Sequence, residues 1–278
     1  MSRRAPLRID VARVIDRYLG LMASERAPRL RGLYLVGSVA LGDFRPGVSG
    51  IDFVALLDAP PDGPDLDALA RVHAALAAVG GPAFDGLYLP LEAVRRAPDP
   101  AARIPFSLGG CLRRDEPCEA ANPLLWRCLA RAGRPILGAA PAALGIADDD
   151  APLRAHCLDR LDQAWRPWIA RIETALGTAP EADCDAAVLA QGVLGVSRLV
   201  CTLATGRVVS KREGGRFVLD HLPEARRPAV RDALDARDGA LEYVSPARMQ
   251  AALDAMRLLI DGARNAPLGA PAPRSPVR

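Results

Sequence analysis

The chain has 278 residues, half of them hydrophobic, a length that suits two domains of ordinary size better than one. Its net charge of +3 is carried almost wholly by arginine, since lysine occurs once, at Lys211, and the charges are scattered, so nucleic acid is not indicated as a partner. Six cysteines without CxxC spacing, no early secretory segment and no apolar run of bilayer-spanning length argue against a zinc site, a disulfide framework and a membrane partner, and point to a reduced cytoplasm.

Residues 8–24 place Ile9, Val11, Val14, Ile15, Tyr18, Leu19 and Met22 at helical spacing, which predicts an opening amphipathic helix that ends near Ala27-Pro28. Strands are expected at 33–37 and 51–57. Pro64-Asp65 then opens a helix running to about Val79, with Leu66, Leu69, Val72, Leu76 and Val79 on one stripe and Gly80-Gly81-Pro82 as its stop. A further strand is expected over 83–91, with Asp85 near its start and Leu87 and Leu89 on alternate positions. These elements predict helices packed on one mixed sheet.

Beyond about residue 120 the pattern becomes helical, with helices expected at 123–132, 152–176, 185–205, 215–222, 225–236 and 246–264. The fold class is therefore α+β, an N-terminal mixed-sheet α/β domain over 1–120 followed by a C-terminal α-helical bundle over 121–265. Residues 139–150, with Pro, Gly and three consecutive aspartates, form the best candidate linker, and the Pro- and Ala-rich tail 266–278 is expected to be disordered.

Residues 35–57 read as strand, Gly-Ser turn, short helix and second strand, an order that suits polyphosphate held beside a metal. Gly37 lets the backbone approach an anion closely, and Ser38, at the start of the short helix, can offer its hydroxyl and free N–H groups to triphosphate oxygens. With Leu41-Gly42-Asp43, Ser49 and Ile51-Asp52, this stretch resembles the signature of the nucleotidyltransferase superfamily, in particular the aminoglycoside adenylyltransferases, in which Gly-Ser is followed about a dozen residues later by Asp-x-Asp. The resemblance implies a metal site built from two carboxylates at i and i+2 on the second strand and a third on a neighbouring strand. Here Gly50 stands in the first position, Asp52 in the second, and Asp85 is the natural third. Asp43 is expected to brace the loop, pairing with Arg45.

The resemblance continues through Asn122-Pro123-Leu124-Leu125-Trp126 with Gly133 and Gly138, and through the stretch from Gly195 by Arg198 and Gly206 to Lys211. It implies that Arg198 and Lys211 reach across a domain cleft to nucleotide phosphates. A compact ammonium on a flexible stem suits that task in a way a guanidinium does not duplicate.

The function implied is Mg-dependent (or Mn-dependent) transfer of an adenylyl group from ATP to a hydroxyl of a small molecule, an aminoglycoside among the acceptors, as in antibiotic resistance. Asp52 and Asp85 would hold the metal, Gly37 and Ser38 the triphosphate, and Arg198 and Lys211 the leaving pyrophosphate. An alternative is a nucleotide-binding or regulatory protein of the same fold, silenced at Gly50. A third reading takes Arg216-x4-His221 as the Arg-His motif of helical ribonuclease toxins. His73 and His156 lack ligand spacing and read as packing or surface residues, and Trp126, Trp165 and Trp168 lie at helical positions and read as core, although Trp165 or Trp168 could line the cleft. Asp159, Asp162 and Glu173 could attract a polycationic aminoglycoside or form a solvated face.

Overall fold

The computed structural model describes residues 6–264, so the tail expected to be disordered lies outside the described residues. Two compact units divide after Asp148. The first contains α1 (Ile9–Ser24), β1 (Leu30–Leu35), α2 (Gly37–Ala40), β2 (Ile51–Leu57), α3 (Gly63–Ala77), β3 (Phe84–Pro90), β4 (Phe106–Leu108), β5 (Cys111–Arg113), α4 (Pro123–Ala132) and β6 (Arg134–Leu137). The strands form a six-stranded sheet in the order β5-β4-β3-β2-β1-β6. Only β2 and β3 pair in parallel, with α3 as the crossover that such a connection needs, and the other pairs are antiparallel. The sheet is mixed, as expected.

The α3 start follows from its first residues. The Asp62 carboxylate accepts from the Asp65 amide at 3.0 Å, the Asp65 carboxylate accepts from the Asp62 amide at 3.3 Å, and Pro64 sits in the first turn where no N–H is missed. On one face of the sheet, Val11, Ile15, Tyr18 and Met22 of α1 and Leu69, Val72 and Leu76 of α3 pack with Ile51, Phe53, Ala55, Leu57, Phe84 and Tyr88. Each large apolar side chain buried in this way stabilises the fold by roughly 1.5–3 kcal/mol. The opposite face is equally buried at Val54, Leu56, Leu87 and Leu89. Burial on both faces explains why β2 reads as one continuous apolar run with a single acid in it.

The first unit runs on to Asp148 where a boundary at 120 was expected. The reason is β6, which pairs with β1 through Leu33↔Leu137 and Leu35↔Arg134 and so brings α4 with it. The Tyr34 hydroxyl donates to the Ala139 carbonyl at 2.8 Å, and Arg127, nearly buried on α4, forms an ion pair with Asp148.

The second unit contains α5 (Asp150–Asp159), α6 (Arg166–Thr178), β7 (Cys184–Asp185), α7 (Ala186–Thr205), α8 (Lys211–Leu219), α9 (Arg227–Arg237), β8 (Tyr243–Val244) and α10 (Pro246–Ala263). The helix expected at 152–176 is interrupted by a π-helical turn over 160–165. At the centre lies α7, packed by α8, α9 and α10. A Cβ on Gly192 would lie 2.6 Å from the Trp168 ring and one on Gly195 would lie 2.3 Å from the Trp165 ring, so both indoles rest against the α7 backbone. They are packing residues first.

One expectation needs correcting. Among the described residues α7, with 20 residues, is long and apolar enough to cross a bilayer. Most of that stretch is buried inside the unit, because α7 is the helix around which the others pack, and that is the composition such a helix must have.

Candidate functional site

Every position of β2 is buried except Asp52. In the parallel ladder Asp52 is the register partner of Asp85, so the two carboxylates stand on the same face of adjacent strands, about 4.8 Å apart at the backbone. Like charges placed directly opposite each other are destabilising. Asp85 is half-buried, and its Oδ1 is a buried acceptor with no hydrogen-bond partner among the described residues, where buried polar atoms are nearly always satisfied. Two adjacent carboxylates with an orphaned oxygen fit a hard divalent cation.

The turn between β1 and α2 is shaped around this pair. Gly37 has φ +56°, and a Cβ there would lie 2.0 Å from Oδ2 of Asp52. The carboxylate thus occupies the space a side chain at 37 would take, while the Val36 amide donates to the Asp52 carbonyl at 2.9 Å and pins the end of β1 to β2. Ser38 Oγ donates to the Gly50 carbonyl at 3.4 Å, so the hydroxyl also braces the entry to β2. Asp43 is buried and its amide donates to the Ser38 carbonyl at 2.9 Å. Ser49 Oγ accepts from the Arg45 amide at 3.0 Å, which closes the loop leading to β2.

Gly50 stands one residue before β2, where the Ile51 amide donates to the Ala83 carbonyl at 2.7 Å. Its backbone is not left-handed, and a Cβ there would meet the Ala83 carbonyl at 3.4 Å and the Ala83 Cβ at 3.7 Å, ordinary contacts. A side chain is therefore tolerated at 50, two residues from Asp52. The described residues hold no group of three or more His, Cys, Asp or Glu side chains placed for a metal. The centre offers the Asp52 and Asp85 pair.

Arg198 and Lys211 belong to the second unit, on α7 and at the first position of α8. The helix expected from 215 begins four residues earlier, at Lys211. Ser210 caps the helix through its hydroxyl, which accepts from the Glu213 amide at 3.1 Å, and the Ser-x-x-Glu spacing could have signalled this start. A cation in the first turn opposes the helix dipole. The neighbouring acids Glu213 and Asp238 form ion pairs with Arg207 and Arg212.

Two of the three acids considered for a polycationic acceptor, Asp162 and Glu173, are held in ion pairs. Asp162 pairs with Arg166 at 3.0 Å and Arg264 at 2.6 Å, and hydrogen bonding to Arg166 holds its carboxyl below the usual range. Glu173 pairs with Arg257 and accepts from Gln250 at 3.2 Å, which lowers its carboxyl likewise. Asp159 is exposed. His73 is buried, with Nε2 bonded to the Tyr88 hydroxyl at 2.8 Å and Tyr88 bonded in turn to Tyr18 at 2.9 Å, and burial pushes its imidazole down to about 4. His221 stacks on Phe217 and its Nδ1 meets the Phe217 carbonyl at 2.8 Å, an arrangement that gives the ribonuclease reading no support.

Residues 161–260 match the family model described as aminoglycoside adenylyltransferase, C-terminal domain. A comparison with curated proteins finds no match. Among solved structures, the chain is similar to the crystal structure of spectinomycin adenyltransferase AAD(9) from Enterococcus faecialis with ATP and spectinomycin, with 14% identity, a TM-score of 0.63, 91% of this chain covered and 99% of that one. At that identity the likeness is one of fold. The chain thus resembles the aminoglycoside adenylyltransferases on two separate grounds, by sequence over 161–260 and by fold over nearly its whole length.

Proposed function

We propose that this protein transfers an adenylyl group from ATP to a hydroxyl of a small molecule, with an aminoglycoside of the spectinomycin type as the leading acceptor, releasing pyrophosphate. The observation that carries the proposal is the Asp52↔Asp85 register, which sets two carboxylates side by side beneath the Gly37 turn. The family match over 161–260 and the ATP and spectinomycin held by the similar structure support it.

Asp52 and Asp85 would hold Mg2+ or Mn2+, whose chemistry when bound is to neutralise charge on phosphate oxygens. Gly37 keeps the backbone bare where polyphosphate approaches, and Ser38 steadies the strand entry through Gly50. In the second unit Arg198 and Lys211 supply positive charge to the phosphates. The acceptor oxygen forms its bond to the α-phosphorus as the bond to the β-phosphate oxygen breaks, and the acceptor proton passes to solvent or to a nearby carboxylate. Six free cysteines, four of them buried, accord with work in a reducing cytoplasm.

The test is pyrophosphate release from ATP with Mg2+ or Mn2+ and a panel that includes spectinomycin and streptomycin, with the adenylylated product identified by mass and Asp52→Ala as control. Product with the parent and none with the control supports the reading. ATP binding without product on any acceptor favours the silent nucleotide-binding protein, and no ATP binding removes both.

A further inference from the structure

The packing of α8 on α7 is closest at Gly214. A Cβ there would lie 2.9 Å from both the Cα and the amide nitrogen of Arg198 and 3.1 Å from the Ser197 carbonyl carbon. These are backbone atoms of another helix, so they cannot swing aside, and any side chain at 214 must push α8 away from α7 at Arg198. Gly215 is different. Its Cβ would meet the ends of the Leu194 and Leu234 side chains, at 2.7 and 3.0 Å, and those can repack.

Lys211, Gly214, Gly215 and Val218 follow the i, i+3, i+4, i+7 spacing of one helix face, the face on which Gly214, Gly215 and Val218 are buried. Lys211 begins that stripe three residues, a rise of about 4.5 Å, before Gly214. Lys211, the only lysine of the chain, therefore stands three residues along α8 from the point where that helix touches the Arg198 backbone.

We infer that Gly214 is a positioning residue, a bare helix surface that sets Lys211 and Arg198 at the separation needed to grip one polyphosphate jointly. The inference rests on the adenylyl-transfer reading above. Gly214 touches no ligand. It acts through the distance between the two helices, and a Cβ at 214 moves Lys211 away from Arg198 while leaving both charges present.

The experiment compares ATP and AMP affinities by calorimetry in the parent, Gly214→Ala and Gly215→Ala. Both variants disturb the same helix pair and both are expected to melt lower than the parent. Only Gly214→Ala is expected to lower the ratio of ATP to AMP affinity, by about fivefold or more, since coupled neighbours interact on that scale. A ratio unchanged in folded Gly214→Ala, or lowered equally in Gly215→Ala, overturns the inference. Should Gly214→Ala fail to fold, the cycle of Arg198→Ala, Lys211→Ala and the double variant decides. A joint grip makes the two losses in ATP affinity non-additive by about threefold or more, and additive losses overturn it. A parent that binds no ATP fails the functional reading itself, an outcome distinct from normal parent binding with an indifferent Gly214.

Discussion

Oδ2 of Asp52 lies over the backbone of Gly37, 2.0 Å from where a Cβ would stand, and Gly37 holds φ +56° to allow it. The glycine is thus required twice, once for its dihedral and once for the carboxylate above it. Gly37→Ala is expected to lower stability by roughly 1–3 kcal/mol and to displace Asp52, so that Mn2+ binding followed by calorimetry weakens as the melting temperature falls. A variant with parental melting and parental Mn2+ affinity would contradict the packing described.

Gly50 is expected to accept aspartate without strain, because a Cβ there meets the Ala83 carbonyl only at 3.4 Å. Gly50→Asp adds a carboxylate two residues from Asp52, and should tighten Mg2+ or Mn2+ binding and raise pyrophosphate release above the parent rate. Adding Asp52→Ala should cancel both gains. A parent already fast, with no gain from the new carboxylate, would mean that the enzyme works with a different ligand set.

The facing carboxylates make an opposite prediction for stability and binding. Asp85→Asn removes one of two like charges in register, so without metal the protein should melt slightly higher, by the equivalent of about 0.2–1 kcal/mol. The same change should weaken Mn2+ binding and slow transfer. A variant that melts lower and binds metal as well as the parent would show that Asp85 is a structural acid.

His73 predicts a pH dependence of folding. Burial holds its imidazole at about 4 against 6.5 in the open chain, so the unfolded state takes up the proton first. Its contribution is fully present above about 6.5 and is lost progressively as the pH falls toward about 4, a change on the order of 3 kcal/mol in all. His73→Leu keeps the Tyr18–Tyr88 hydrogen bond and should flatten the fall in melting temperature between about pH 7.5 and about pH 5. Parallel curves for parent and variant would assign the acid sensitivity to other groups.

The β2 strand could be read to the residue because both its faces are buried and its apolar run is uninterrupted, and α4 likewise because Asn122 and Pro123 mark its start. The strands β4, β5 and β6 were not legible. They are three or four residues long, lie toward the sheet edges, and in β6 include Pro135, so they show no alternation. The π turn at 160–165 was hidden because its apolar spacing continues that of the flanking helices. At the site, Asp52 and Asp85 were visible as strand acids, but their register depends on the length of the α3 crossover, which no local pattern encodes. Gly214 left no signal at all, since a helical glycine reveals its purpose only through the helix it touches.

The solitary lysine at the head of α8 also gives the chain an unusual chemical simplicity. Apart from the α-amino group, an amine-directed reagent has one target, Lys211, so the mass of the labelled protein counts modification at a single known place. Of the 36 basic residues the others are all arginine and lie silent to such reagents, because a guanidinium does not deprotonate near neutrality. Protection of that amine by nucleotide can therefore be followed directly on the intact chain, with no substitution and no need for turnover.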